Sequence, residues 1–170
     1  KDVVKLFTNA ENTLLNTQYL WKNSCMYYTK EISKTVARRL ELKESLFYAI
    51  EDKELLLHYQ PIVDLESGNL TGVEALVRWH HPKFGMLLPE KFIPLAKETG
   101  LIVDLSKWVL KQACKQARMW HEAGFKSLSM TINISAIEFD QAKLIGHIEG
   151  VLAETGMPPE LLELDIAESV

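Results

Sequence analysis

The sequence predicts an α/β protein: a partial (β/α) barrel that begins with an antiparallel strand pair and follows a helical linker and the remnant of another α/β domain. Three observations predict it. Two strand-like runs, Leu55 to Asp64 and residues 70–79, are separated by the turn Glu66-Ser67-Gly68-Asn69 and so form a hairpin. Helical and strand-like periodicities then alternate, which requires right-handed crossovers and a parallel sheet with helices outside. Only about four strands are present, where a closed barrel takes about eight and roughly 250 residues, so the chain reads as half of one.

Size and composition narrow the function. The 170 residues suffice for one sizeable core, or for one domain plus part of another. Apolar content of 47% and charged content of 25% are ordinary for a globular protein. A net charge of −4 argues against a general binder of nucleic acid or acidic membrane. No apolar run is long enough to span a bilayer, and the N-terminus lacks a signal-peptide pattern. The start at Lys1 without Met points to a piece of a longer chain. Cys25 and Cys114 stand in unrelated contexts and read as reduced thiols rather than a disulfide or zinc site. The expected location is cytoplasmic, with a longer parent open to anchoring at the inner membrane.

Residues 1–29 read as the remnant. Lys5 to Gln18 suits a helix with Leu6, Ala10, Leu14 and Leu15 on its apolar side, and Ser24 to Tyr28 a short strand. Residues 30–53 are the linker: over 30–52, Ile32, Val36, Leu40, Phe47 and Ile50 recur near helical spacing among charges of both signs. The main domain, 54–170, opens with the hairpin, where Pro61 favours an edge strand or a bulge. Pro82 to Pro89 reads as a loop, and Pro89 opens a helix that Gly100 ends, with Pro94 splitting it or starting its main part. Asp104 to Glu122 is the strongest helix, with Leu105, Trp108, Val109, Ala113, Ala117 and Trp120 in one stripe, Asp104 as its cap and Gly124 at its end. Leu128 to Ser135 reads as a strand, Asp140 to Thr155 as a helix, and Leu161 to Ser169 as a last strand. Half a barrel leaves the edge of that last strand open, and another chain, a swapped element or further residues are expected to cover it.

The chemistry concentrates on strand faces. On Gly72 to Trp79, Val73, Ala75, Val77 and Trp79 share an apolar face, and Glu74, Leu76 and Arg78 share the other. An internal Glu74–Arg78 ion pair is one reading of that second face, and a site is the other. The later strands repeat the pattern, with Asn133 and Asp165 opposite an apolar face. In a sheet curling into a barrel, Glu74, Asn133 and Asp165 point inward. Two carboxylates and an amide are hard oxygen donors that suit Mg²⁺ or Mn²⁺. A hydrogen-bonded set of core polar groups explains them equally well. His58, His80, His81, His121 and His147 lack zinc-ligand spacing; His121 and His147 are expected to face solvent, and His81 to be a structural loop residue.

Several runs resemble one family in order. They are Tyr59-Gln60-Pro61-Ile62-Val63, Gly72 to Trp79 with Glu74-Ala75-Leu76, His81-Pro82, Pro89 to Ala96, Gly100-Leu101-Ile102, Trp108-Val109-Leu110, Asn133-Ile134-Ser135 and Leu162 to Ser169. From about residue 54 to 170 the chain is similar to the N-terminal half of an EAL domain, the cyclic di-GMP phosphodiesterase family. The resemblance implies a modified TIM barrel that binds cyclic di-GMP and, in active members, hydrolyses it to linear pGpG with Mg²⁺ or Mn²⁺. It implies metal-ligand roles for Glu74, Asn133 and Asp165, a catalytic role for Glu74, and substrate contacts for Gln60, Leu76 and Arg78. Residues Ala10-Glu11, Leu14, Lys22-Asn23 and Tyr28 resemble the tail of a GGDEF domain, which departs from that family at Gln18 and Trp21 and reads as degenerate.

Two departures bear on activity. Asp165 stands where the family usually has Glu, one methylene longer, and Ala167 where it has Thr. The family's later motifs (an Asp-Asp loop, a Lys near the attacking water and a Glu that supports metal binding) are expected beyond Val170. The resemblance therefore implies a phosphodiesterase, with a catalytically inactive cyclic di-GMP receptor as the alternative and a scaffold that binds no nucleotide as a third reading. The expected partners are cyclic di-GMP, upstream GGDEF and sensory domains of the full chain, and a second copy in a homodimer, with no direct binding of DNA or RNA.

Overall fold

The computed structural model describes residues 2–20, 27–135 and 144–167. The chain divides into two compact units, Lys1–Phe47 and Tyr48–Val170. The first holds helices α1 (Val3–Leu20) and α2 (Lys30–Leu46). Thr29 caps α2, its hydroxyl accepting from the Ile32 amide at 3.3 Å. The helix expected over 30–52 ends at Leu46, and turns follow to Lys53. Its buried stripe is Ile32, Val36, Leu42 and Leu46, while Leu40 and Phe47 face solvent. On α1, Leu6 and Leu14 are exposed rather than forming a buried apolar side. Of the strand expected at 24–28, residues 24–26 lie outside the described residues, and Tyr27 and Tyr28 are irregular.

The second unit is built on a five-stranded sheet. β1 (Leu55–Val63) and β2 (Leu70–His81) form the expected antiparallel hairpin, with Leu55 opposite Trp79 and Gln60 opposite Glu74. The register shifts between Ile62 and Val63, beside Pro61, and β1 is an edge strand, the two places where a strand proline is tolerated. Inside the segment read as a loop, Gly85–Leu87 forms a short strand, β3, that folds back on β2 with Trp79 opposite Leu87. Gly85 turns that corner at φ +68°, a conformation that suits glycine. β4 (Ser129–Ser135) runs parallel to β2, and β5 (Leu162–Ala167) parallel to β4, in the order β1-β2-β4-β5. Nothing among the described residues pairs with the outer edge of β5.

Helices cover one face. α3 (Pro89–Thr99) starts on Pro89 and carries Pro94 inside one continuous helix, ending at Gly100 with φ +78°. α4 (Ile102–Glu122) starts two residues before the expected position; Leu101 is its cap, and Asp104 lies in the first turn 3.4 Å from Lys107. An acid there still suits the positive end of the helix dipole. α5 (Leu144–Thr155) lies beside α4, tied to it by a 2.8 Å Lys111–Glu154 ion pair, and the Asp140 start expected for it lies outside the described residues. A 3-10 turn, Pro159–Leu161, leads into β5.

The core lies between this layer and the outward strand positions. Val73, Ala75, Trp79, Met130, Ile132 and Ile134 are buried there with Phe92, Leu95, Leu105 and Ala113. Trp79 is wholly buried, packs edge-on against Phe92 at 5.7 Å, and donates its indole N–H to Glu54 at 2.8 Å. Cys114 is buried in α4, where desolvation pushes its thiol up to about 11. No helix among the described residues is long and apolar enough to cross a membrane.

Candidate metal centre

Strand alternation puts Glu74 on the sheet face turned away from the helices, since its neighbours Val73 and Ala75 are buried on the other. The register then extends a polar row across the sheet. Gln60 on β1 is opposite Glu74 on β2, Glu74 is opposite Thr131 on β4, and Thr131 is opposite Glu163 on β5. One pleat further along, Asn133 on β4 is opposite Asp165 on β5. Neighbouring strands lie about 4.8 Å apart, so each group is within about one side-chain length of its neighbour on the next strand.

The contacts within the row are specific. Asn133 Nδ2 donates to Glu74 Oε1 at 2.7 Å, and Thr131 Oγ1 donates to Glu163 Oε2 at 3.1 Å. Glu74 is half-buried, while Asn133, Asp165 and Gln60 are exposed. The structure thus brings Glu74 and Asn133 into contact and sets Asp165 beside Asn133. It also adds Thr131 and Glu163, bonded to each other on the same face.

The ion pair that would have explained Glu74 without a site does not form among the described residues. Arg78 lies four residues along the strand from Glu74, about 13 Å of chain. Arg78 instead donates from Nη1 to the Val77 carbonyl at 2.9 Å, half-buried toward the C-terminal end of β2. Leu76, between the two, is half-buried opposite His58. Gln60, Glu74, Leu76 and Arg78 therefore line one face, and Arg78 is nearest the strand ends, where parallel α/β sheets place their ligands.

The donor set fits a hard divalent cation. Two carboxylates and an amide oxygen are the ligand types such ions take. Among the described residues no group of three or more His, Cys, Asp or Glu side chains could hold a metal, and the set gathered here includes an amide.

The histidines lie elsewhere. His81 is buried, its Nδ1 accepting from the Lys83 and Phe84 amides at 3.0 and 3.3 Å, which makes it the brace of the turn into β3. The ring packs between Trp79 and Phe84, at 5.1 and 4.7 Å. Among the described residues its Nε2 is buried without a partner, as is that of His147, and both His121 and His147 are half-buried rather than solvent-facing. A cleft of about 620 Å³ on the helix side of β1 is lined by Leu57, Tyr59, Trp108 and Met119, away from the polar row. Burial there pushes the Tyr59 phenol up to about 12.

Comparison with known proteins bears on this arrangement. Residues 43–170 match the model of the EAL domain. The chain is 35% identical over 165 residues to the bifunctional diguanylate cyclase/cyclic di-GMP phosphodiesterase MucR of Pseudomonas aeruginosa, covering 97% of this chain and 24% of MucR. It is 35% identical over 164 residues to the cyclic di-GMP phosphodiesterase NbdA of the same organism, covering 96% of this chain and 21% of NbdA. Among solved structures it matches the c-di-GMP complex of the PaMucR phosphodiesterase with a TM-score of 0.74 and 41% identity, over 76% of this chain and 52% of that one. The chain thus spans about a quarter or less of these curated relatives and about half of the solved one.

Proposed function

The chain belongs to the EAL domain family, and on that premise we propose that its parent protein is a metal-dependent phosphodiesterase that hydrolyses cyclic di-GMP to linear pGpG in bacterial second-messenger signalling. The observation that carries this reading is the 2.7 Å contact of Asn133 with Glu74, with Asp165 beside Asn133, on the sheet face that the helices leave open. MucR and NbdA are both cyclic di-GMP phosphodiesterases by name, which supports the substrate.

Glu74, Asn133 and Asp165 would hold Mg²⁺ or Mn²⁺. Such an ion supplies positive charge for a phosphoryl oxygen and lowers the pKa of a bound water. The chain's own residues orient the substrate. The Arg78 guanidinium, at the C-terminal end of β2, holds a phosphate, where its charge offsets the negative charge that builds on phosphorus in the transition state. Gln60, opposite Glu74, holds the nucleotide through its amide, and Leu76 supplies the apolar contact between them. Asp165 reaches about 1.5 Å less far than Glu, against Mg²⁺ distances of about 2.0–2.1 Å, so the strand separation at β4–β5 sets how well this site closes. Residues 1–29 are assigned to the end of a GGDEF domain, 30–53 to a linker, and 54–170 to the N-terminal half of the EAL domain.

The test is an assay of the full parent chain with cyclic di-GMP and Mn²⁺, following pGpG and binding together. Turnover that Glu74→Ala abolishes supports the phosphodiesterase. Binding without turnover supports a receptor. Neither activity refutes both.

A further inference from the structure

A ligand held at both Gln60 and Arg78 has to cross one polar residue that the proposed site does not use. On the open face β1 carries Leu56, His58 and Gln60, and β2 carries Arg78, Leu76 and Glu74 opposite them in that order. Leu57 and Tyr59 of β1 turn the other way, into the helix-side cleft. His58 is therefore the middle position on its strand, opposite Leu76 and on the cross-strand diagonal to both Glu74 and Arg78. Such diagonals are about 7–8 Å, within reach of an aromatic ring. His58 is exposed, and among the described residues its ring takes no part in a hydrogen bond or ion pair. The two histidines at the end of β2 are placed otherwise. His81 braces the turn into β3 through Nδ1, and His80 stands one pleat beyond Arg78, its amide donating to the Glu54 carbonyl at 2.8 Å.

We propose that His58 donates a ring N–H to a non-bridging phosphate oxygen of the cyclic dinucleotide, beside the phosphate contact of Arg78. This assignment rests on the proposed function and adds a residue to it. Gln60 and Arg78 lie on neighbouring strands and are offset by two pleats, about 13 Å along them. A ligand that touches both covers the pair between them, His58 and Leu76. Leu76 offers only apolar surface, so His58 is the polar group under the middle of the ligand. An imidazole keeps at least one N–H in either charge state, so it can donate without first gaining a proton. A phosphodiester is anionic and its free oxygens only accept, which makes the bond charge-assisted. A base edge needs donors and acceptors in a fixed order, whereas a phosphate oxygen takes any N–H. The Arg78 guanidinium on one diagonal draws a phosphate toward the ring.

The test uses the full parent chain as wild type, His58→Leu and His58→Gln. Leu removes the donor and keeps much of the bulk; Gln carries an amide N–H to about the reach of Nε2. KM and kcat for cyclic di-GMP are measured with Mn²⁺, and the dissociation constant by calorimetry without added metal. Melting curves check that each variant folds. His58→Leu is expected to raise KM and the dissociation constant about fivefold or more, with kcat changed less than about threefold. His58→Gln is expected to stay within about twofold of wild type, a rescue that a role in packing does not produce. Wild-type turnover with His58→Leu within about twofold in KM overturns the contact and leaves the proposed function standing. Equal losses in the two variants, or a loss confined to kcat, overturn it as well. A wild type that binds without turnover overturns the phosphodiesterase, and the dissociation constants then decide His58. A wild type that neither binds nor hydrolyses cyclic di-GMP overturns both.

Discussion

Replacing Glu74 by Gln and by Ala separates its structural contact from its charge. Glu74 Oε1 accepts one hydrogen bond, from Asn133 at 2.7 Å. A bond to a charged group is worth about 1.5–3 kcal/mol when buried, but Asn133 is exposed, so about 1 kcal/mol is the fitting figure. Gln keeps a carbonyl oxygen in place to accept that bond, so Glu74→Gln is expected to alter stability by less than about 0.5 kcal/mol. Glu74→Ala loses the bond and about 1 kcal/mol with it, a fall in Tm of about 2–4 °C for a domain of this size. Turnover should not follow stability. Both variants remove the proposed anionic ligand, and each is expected to lose at least about a hundredfold in kcat/KM, about 2.7 kcal/mol of transition-state stabilisation. Parallel melting curves and cyclic di-GMP assays of the full parent chain with Mn²⁺ read both quantities. A Glu74→Gln protein that turns over like wild type refutes the reasoning, because the carboxylate would then serve only as a hydrogen-bond acceptor.

Further expectations follow from the core. Trp79→Phe removes the indole donor to Glu54 and part of a wholly buried side chain, and urea titration is expected to show a loss of about 2–4 kcal/mol. His81→Ala removes the acceptor that the Lys83 and Phe84 amides share and is expected to cost about 2–4 kcal/mol, while His81→Asn, whose side-chain oxygen can replace Nδ1, costs less; equal losses would count against the brace. The Tyr59 phenol is raised from 10.0 to about 12, so its contribution is complete below about pH 10 and is lost as pH rises toward 12. Tyr59→Phe should flatten the stability profile over that window, measured by urea midpoint against pH.

The strand faces were legible because alternation with period two leaves little choice. Val73, Ala75 and Trp79 could only share one side, so Glu74 had to take the other. The hairpin followed from the turn at 66–69, but the register that sets Gln60 against Glu74, with its shift between Ile62 and Val63, did not. What lay beyond the sequence was pairing across crossovers. Thr131 and Glu163 are joined through a helix and a 3-10 turn, and no local pattern states that they end in register. β3 has three residues around a glycine, too few for a periodic signal. The Leu101 cap of α4 makes no side-chain hydrogen bond, so Asp104, a better capping residue by type, drew the expected boundary too late. The Glu74–Arg78 pair failed on length, since four strand residues span more than two side chains comfortably bridge.

The central claim is that Glu74, Asn133 and Asp165 take one divalent cation between them. Anomalous scattering from crystals of the full parent chain grown with Mn²⁺ tests it most directly. The account predicts a manganese peak within about 2.0–2.4 Å of oxygens from all three side chains. A fully occupied manganese site held by other residues, with these three bonded only to one another, would contradict it.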